Sequence, residues 1–223
     1  NMFLTVLLAL AVSVSAAPKA DATWCPTCVQ FMGEALDELL NIILNAGVIG
    51  TCGELCSQLS NNIEAEVCSV LCDIVGVEGF IHLLDDVDPS PIFYCEELGV
   101  CPISDNAKAN IRSLTVSPQS GPQGTTFSID VIYQVTSMIG TGEISLLVAP
   151  PGRMPFGDGA LLVDVKPDTY RAAFSLKAQP SEQEPFQPGQ YEVQIALCEG
   201  SCGSIHAHAY TLAVSNTTFH ITQ

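Results

Sequence analysis

Residues 21–103 contain no Lys or Arg at all, against fourteen Asp and Glu. The whole chain carries seven bases and a formal net charge of −17. A nucleic-acid binder needs basic patches to neutralise phosphates, so that class is excluded. Attraction to anionic lipid at neutral pH is excluded for the same reason. Catalytic signatures are missing too: there is no Gly-x-Ser-x-Gly, no His-Glu-x-x-His and no phosphate-cradling Gly-x-x-x-x-Gly-Lys. The acids are scattered and none is singled out as half of an acid–base pair. Asp85, Asp86 and Asp88 lack the spacing and the glycine of a calcium loop and read as a solvated helix end. We therefore expect a protein that is not an enzyme and that uses no cofactor or metal.

Long apolar runs are also scarce. Residues 3–14 form one, and Val14-Ser15-Ala16 closes it with a small-residue cleavage pattern. The run is too short to span a bilayer, which takes about 20 residues. It reads as a signal peptide over residues 1–16. No later segment is expected to act as a membrane anchor, and the C-terminus shows no retention signal. A secreted protein follows, with the endolysosomal lumen as the alternative. In either compartment cysteines pair, and the chain has ten of them.

The N-terminal half repeats with helical period. Val29, Met32, Leu36, Leu39 and Ile43 step by three and four residues along one face, with Glu34, Asp37, Asn41 and Asn45 opposite. These five apolar residues are candidates for the core or for a lipid-facing surface. Cys25 and Cys28 continue the stripe backwards. Cys52, Leu55, Cys56 and Leu59 form a second stripe, and Cys68, Leu71, Cys72 and Val75 a third. Ser60-Asn61-Asn62 between them reads as a turn. Two antiparallel helices joined near residue 62 bring Cys52 opposite Cys72 and Cys56 opposite Cys68. Ser90-Pro91 reads as an N-cap with Pro at the first helical position, opening a short helix through Tyr94, Cys95 and Leu98. The mirror relation then extends outward, predicting the bridges Cys25–Cys101 and Cys28–Cys95 around Cys52–Cys72 and Cys56–Cys68. A four-thiolate zinc site at positions 52, 56, 68 and 72 is the competing reading. His82, in a Leu- and Ile-rich helix, is expected to be partly buried.

Cys25-Pro-Thr-Cys28 at the start, the bridged hairpin in the middle and Cys95-Glu-Glu-Leu-Gly-Val-Cys101 at the end resemble the saposin B-type family. The resemblance covers residues 24–103. It implies a leaf-like helical unit that binds lipid, perturbs membranes or dimerises around lipid. The Cys52–Cys72 pair is additional to that family's pattern.

From residue 110 the period falls to two. Phe127, Ile129, Val131, Tyr133 and Val135 alternate with polar residues or Ile132, and further strand-like runs are 114–116, 144–149, 161–165, 170–176, 191–198 and 205–214. Pro- and Gly-rich stretches separate them. Seven short strands so punctuated predict an immunoglobulin-like β-sandwich, with Tyr191 as a candidate tyrosine corner. The expected fold is thus two domains: an all-α, saposin-like, disulfide-linked helical domain over 21–103 and an all-β immunoglobulin-like sandwich over 110–215. Cys198 and Cys202 are expected to bridge across the loop between the last two strands. His206 and His208, two apart on a predicted strand, share a face, but no third ligand is evident. Asn216-Thr217-Thr218 matches the N-glycosylation acceptor.

The order of these parts, with Pro188-Gly-Gln-Tyr-Glu-Val-Gln-Ile-Ala-Leu-Cys198-Glu-Gly-Ser-Cys202-Gly-Ser-Ile-His206-Ala-His208, resembles the countin family. That resemblance implies a secreted component of an extracellular complex regulating group size and cell adhesion. The expected partners are a lipid or membrane surface, engaged more strongly in acid, and other secreted subunits or a cell-surface receptor. The alternatives are an acid-dependent membrane-permeabilising protein and a lipid-transfer activator of a lysosomal hydrolase.

Overall fold

The computed structural model describes residues 22–45, 47–85, 89–182 and 184–223. The signal-peptide reading of residues 1–16, and Asp86 and Asp88, lie outside the described residues. Four helices come first: α1 (Cys25–Asn45), α2 (Cys52–Cys56), α3 (Asn62–Leu84) and α4 (Pro91–Glu97). Eight strands follow: β1 (Lys108–Ser117), β2 (Ser120–Pro122), β3 (Thr126–Ser137), β4 (Ile139–Ala149), β5 (Phe156–Val165), β6 (Asp168–Lys177), β7 (Gly189–Glu199) and β8 (Tyr210–Thr222).

Local chemistry sets the helix ends. Thr51 caps α2 by accepting from the Glu54 amide, and the Glu54 carboxylate accepts from Gly50. Asn61 caps α3 through its bond from Ile63. Ser90 caps α4 by accepting from Phe93, with Pro91 at the first turn. The turn before α3 is tied back to α1, because the backbone and hydroxyl of Ser60 both donate to Glu38. Gly76 breaks α3 with φ +77, a left-handed geometry that glycine tolerates. Ahead of that kink α3 runs along α2; beyond it, Phe80 and Leu84 turn into the core.

Two sheets pack face to face. One has the order β1-β3-β6 and the other β2-β8-β7-β4-β5, with β2 joining β8 in parallel and the remaining pairs antiparallel. Alternating residues of β3 (Phe127, Ile129, Val131, Tyr133, Val135) meet Tyr191, Val193, Ile195 and Leu197 of β7 in a single core. Tyr191 donates its hydroxyl to the Gln187 carbonyl at 3.0 Å, which closes the turn ahead of β7.

The expected division into an all-α saposin-like domain and an all-β immunoglobulin-like domain does not describe this chain. Strand accounts for 41% of the described residues and helix for 28%, in two sheets and four helices, and no all-α saposin domain is present among them. Two of those helices have only five and seven residues. The strands are longer than expected and run from Lys108 to Thr222, beyond both ends of the 110–215 span. The Gly-rich end of a Pro- and Gly-rich separator, 156–159, opens β5, and 139–143, outside the strand-like runs, opens β4. The helices also pack directly on the strands. Val163 of β5 joins the helical core, and Thr141 of β4 donates its hydroxyl to Pro102 at 2.8 Å.

Candidate functional site

Disulfides organise the helical half. The structure pairs Cys25 with Cys101, Cys28 with Cys95, Cys52 with Cys72 and Cys56 with Cys68, and in the strand half Cys198 with Cys202. No cysteine among the described residues is free, so positions 52, 56, 68 and 72 are two bridges and not a zinc site.

The five apolar candidates of α1 face inward. Met32, Leu36 and Leu39 are buried, and Val29 and Ile43 pack half-buried against the same core. They are core residues and not a lipid-facing surface. An outward apolar stripe lies on α3. Ile63, Val70 and Ile74 are exposed and Val67 is half-buried, at spacings that place all four on one stripe. The opposite side of α3 carries the buried Cys68, Leu71 and Cys72. Such a helix, apolar on both sides, is usually enclosed by protein or by lipid. Here only 28% of its most apolar window is buried. Contrary to the sequence expectation, α3 is long and apolar enough to cross a membrane by length and composition. Two bridges to α2 hold it in place. His82, on α3, is exposed and not partly buried.

A second constellation lies where helices meet strands. Glu199, at the end of β7, is fully buried. Its carboxylate accepts from the backbone amides of Ser104 (2.8 Å), Gly140 (3.1 Å) and Thr141 (3.3 Å). Burial nevertheless pushes its carboxyl up to about 7, with those amides opposing the shift and Asp105 adding to it. Glu96 of α4 is 5% exposed, and its Oε1 has no hydrogen-bond partner among the described residues. Burial first, then the charges of Glu199, Glu97 and Asp105, raise it to about 8. Glu143 of β4 is also shifted upward by burial, against a bond from the Cys202 amide. Around these carboxyls, the Ser90 and Ser201 hydroxyls bond at 2.9 Å, and Tyr210 donates to the Ser104 carbonyl while accepting from the Ala107 amide. A cleft of about 250 Å³ follows the junction, lined in part by Val29, Ile92, Glu143 and Leu161.

His206 and His208 do not share a strand face. Residues 201–209 are loop, bent at Gly203 and at His208 with φ +84 and +67, and β8 begins only at Tyr210. His206 stacks on Phe93 at 3.8 Å, whereas His208 faces Asp105. The buried carboxyls escaped the sequence reading. The one available signal was Glu199 beside Cys198, which locates it at the loop but not in the junction.

Two family models cover the chain almost end to end. The countin N-terminal domain matches residues 23–99 and the countin C-terminal domain residues 109–223. The chain belongs to the countin family. Countin-1 of Dictyostelium discoideum is 47% identical over 222 residues, covering 99% of this chain and 86% of the relative. Countin-3 of the same organism is 42% identical, covering 99% of this chain and 97% of its own length. Countin-2 is 44% identical over 205 residues, 90% of this chain and 80% of that one. Within the countin frame, the N-terminal model spans the helices α1–α4 and the C-terminal model the strands, so the carboxyl junction lies between the two matched regions.

Proposed function

We propose that this countin-family chain is a non-enzymatic extracellular interaction protein, a component of a secreted complex that influences cell adhesion or group size. It engages lipid through α3 and protein partners through its strand half. The observation that carries the lipid part is the exposed Ile63, Val70 and Ile74, with half-buried Val67 between them, on a helix that is apolar on both sides. The five disulfides fit an oxidising, extracellular setting.

Charge sets the conditions. The helical half carries carboxylates and no Lys or Arg, so it is repelled by anionic surfaces while those groups are ionised. Protonation removes the repulsion and lowers the cost of desolvating the groups beside the stripe. Flotation with anionic and zwitterionic vesicles from pH 4 to 7.5 tests the reading. We expect binding to rise as pH falls. The double variant Val70→Ser, Ile74→Ser removes two side chains that are each 51% exposed. Its vesicle binding should fall by about thirtyfold, the equivalent of roughly 2 kcal/mol of lost apolar burial, with thermal stability nearly unchanged. No binding at any pH, or binding strongest at pH 7.5, would overturn the lipid reading. Dye leakage confined to acid pH would move the assignment to a permeabilising protein, and lipid extraction without leakage to a transfer activator.

A further inference from the structure

Asn216-Thr217-Thr218 is the single N-x-[S/T] sequence in the chain, and β8 carries it onto the outer face of the five-stranded sheet. Asn216 and Thr218 are exposed there, while Phe219 turns into the core. The register aligns Leu147 of β4, Gln194 of β7 and Asn216 of β8 in one row across the sheet. The Gln194 amide nitrogen donates to Asn216 Oδ1 at 3.0 Å. That bond uses the oxygen of the Asn216 amide and leaves Nδ2, the atom that N-glycosylation modifies. Beside it runs a trough of about 400 Å³, lined by Leu147, Ala149, Glu192, Gln194 and Thr218 among others. Leu147 is 40% exposed at its floor. The lining has two chemistries: apolar Leu147 and Ala149, which suit the C–H face of a pyranose ring, and Glu192 and Gln194, which suit its hydroxyls.

We infer that Asn216 bears an N-linked glycan and that its first sugars lie in this trough over Leu147. The acceptor reaction precedes folding. Asn216 Nδ2 attacks C1 of a lipid-diphosphate-linked oligosaccharide; the C1–N bond forms and the C1–O bond breaks. The lipid diphosphate leaves with the bonding electron pair, and one amide proton passes to a base of the transferase. On the folded sheet the remaining N–H and Oδ1 stay available, so the cross-strand bond from Gln194 is retained. The glycan then covers the outer face of β4, β7 and β8, and protein partners meet other surfaces of the strand half.

The inference needs passage through an oxidising lumen, for which the disulfides argue, and does not depend on lipid binding. Full-length chain secreted from a eukaryotic host is mapped by peptide mass before and after peptide N-glycosidase. We expect loss of the entire carbohydrate mass and conversion of residue 216 from Asn to Asp. Asn216→Gln and Thr218→Ala should abolish the glycan, and Thr218→Ser should keep it. Hydroxyl-radical footprinting then tests the trough. Labelling of Leu147 should rise on deglycosylation, while the exposed Met154 on the β4–β5 connection serves as an unchanged control. Unmodified Asn216 in secreted chain overturns the site. An occupied Asn216 with unchanged labelling at Leu147 overturns the placement of the sugars.

Discussion

A methyl group at position 142 would fall 2.0 Å from the carbonyl oxygen of Cys198, and one at position 157 would fall 2.3 Å from that of Leu146. Both neighbours are backbone and cannot move aside without breaking a ladder. Gly142→Ala should therefore cost about 1–3 kcal/mol or more in urea unfolding. Gly53→Ala is the counterpart: it lies in α2 with nothing within 4 Å of the added carbon. That change should stabilise the chain by about 0.4–1 kcal/mol. The contrast explains a misreading. Gly157 and Gly159 punctuate the sequence like a loop, but they permit close approach of β5 to β4, as Gly142 permits that of β4 to β7. Period-two patterning reports which face is apolar and is blind to glycine used for backbone contact. Glu199 was hidden similarly, because three amides from two distant segments converge on it only after folding.

The helices α1 to α4 are stapled by bridges that nest in twos. Cys25–Cys101 encloses Cys28–Cys95, and Cys52–Cys72 encloses Cys56–Cys68. The sequence separations are 76 and 67 for the first nest and 20 and 12 for the second. Losing one member of the outer nest frees only a loop made of two short stubs, because the other bridge still closes the long span. Losing both releases that span entirely. Under the chain-entropy account, removing both with serine should cost about 1–2 kcal/mol more than the sum of the single losses. Chemical denaturation of the two single variants and their combination measures this, and simple additivity would refute it. These pairings were legible because cysteine positions mirrored about one turn leave a geometric trace in the chain. The side of α3 that faces outward left none. An apolar stripe on α1 and one on α3 look alike in sequence, and the collapse of α1, α2 and α4 around shared bridges decides which is covered.

At the scale of the whole molecule, the helical and strand halves are joined through buried carboxyls on which no Lys or Arg acts among the described residues. Glu96 reaches the junction from α4 and Glu199 from β7, with Glu97 and Asp105 adding negative charge and His208 facing Asp105 from the far loop. Both buried groups titrate near neutrality in the folded chain, at about 8 and about 7. In the unfolded chain carboxyls titrate near 4. Between those limits the folded state holds more protons than the unfolded state, so stability must fall as pH rises. Their favourable contribution is complete below about pH 4 and is lost progressively as pH climbs through 7 to 8. This runs opposite to Asp130, whose bond from Arg171 lowers its carboxyl, so that its stabilising contribution is present above about pH 4 and is lost only as pH falls into strong acid. We expect a higher melting temperature at pH 5.5 than at pH 8.5. Glu96→Gln should flatten the difference, since it removes the group with the largest upward shift and leaves a neutral side chain of the same shape. Its gain should appear at pH 8.5 and vanish at pH 5.5. A variant whose stability changes equally at both values would mean that Glu96 acts through packing and not through its charge. Opening of the junction, read by amide exchange at Ser104, Gly140 and Thr141, should therefore increase between pH 6 and pH 8.5 in the parent chain by more than the intrinsic rate predicts, and should do so far less in Glu96→Gln.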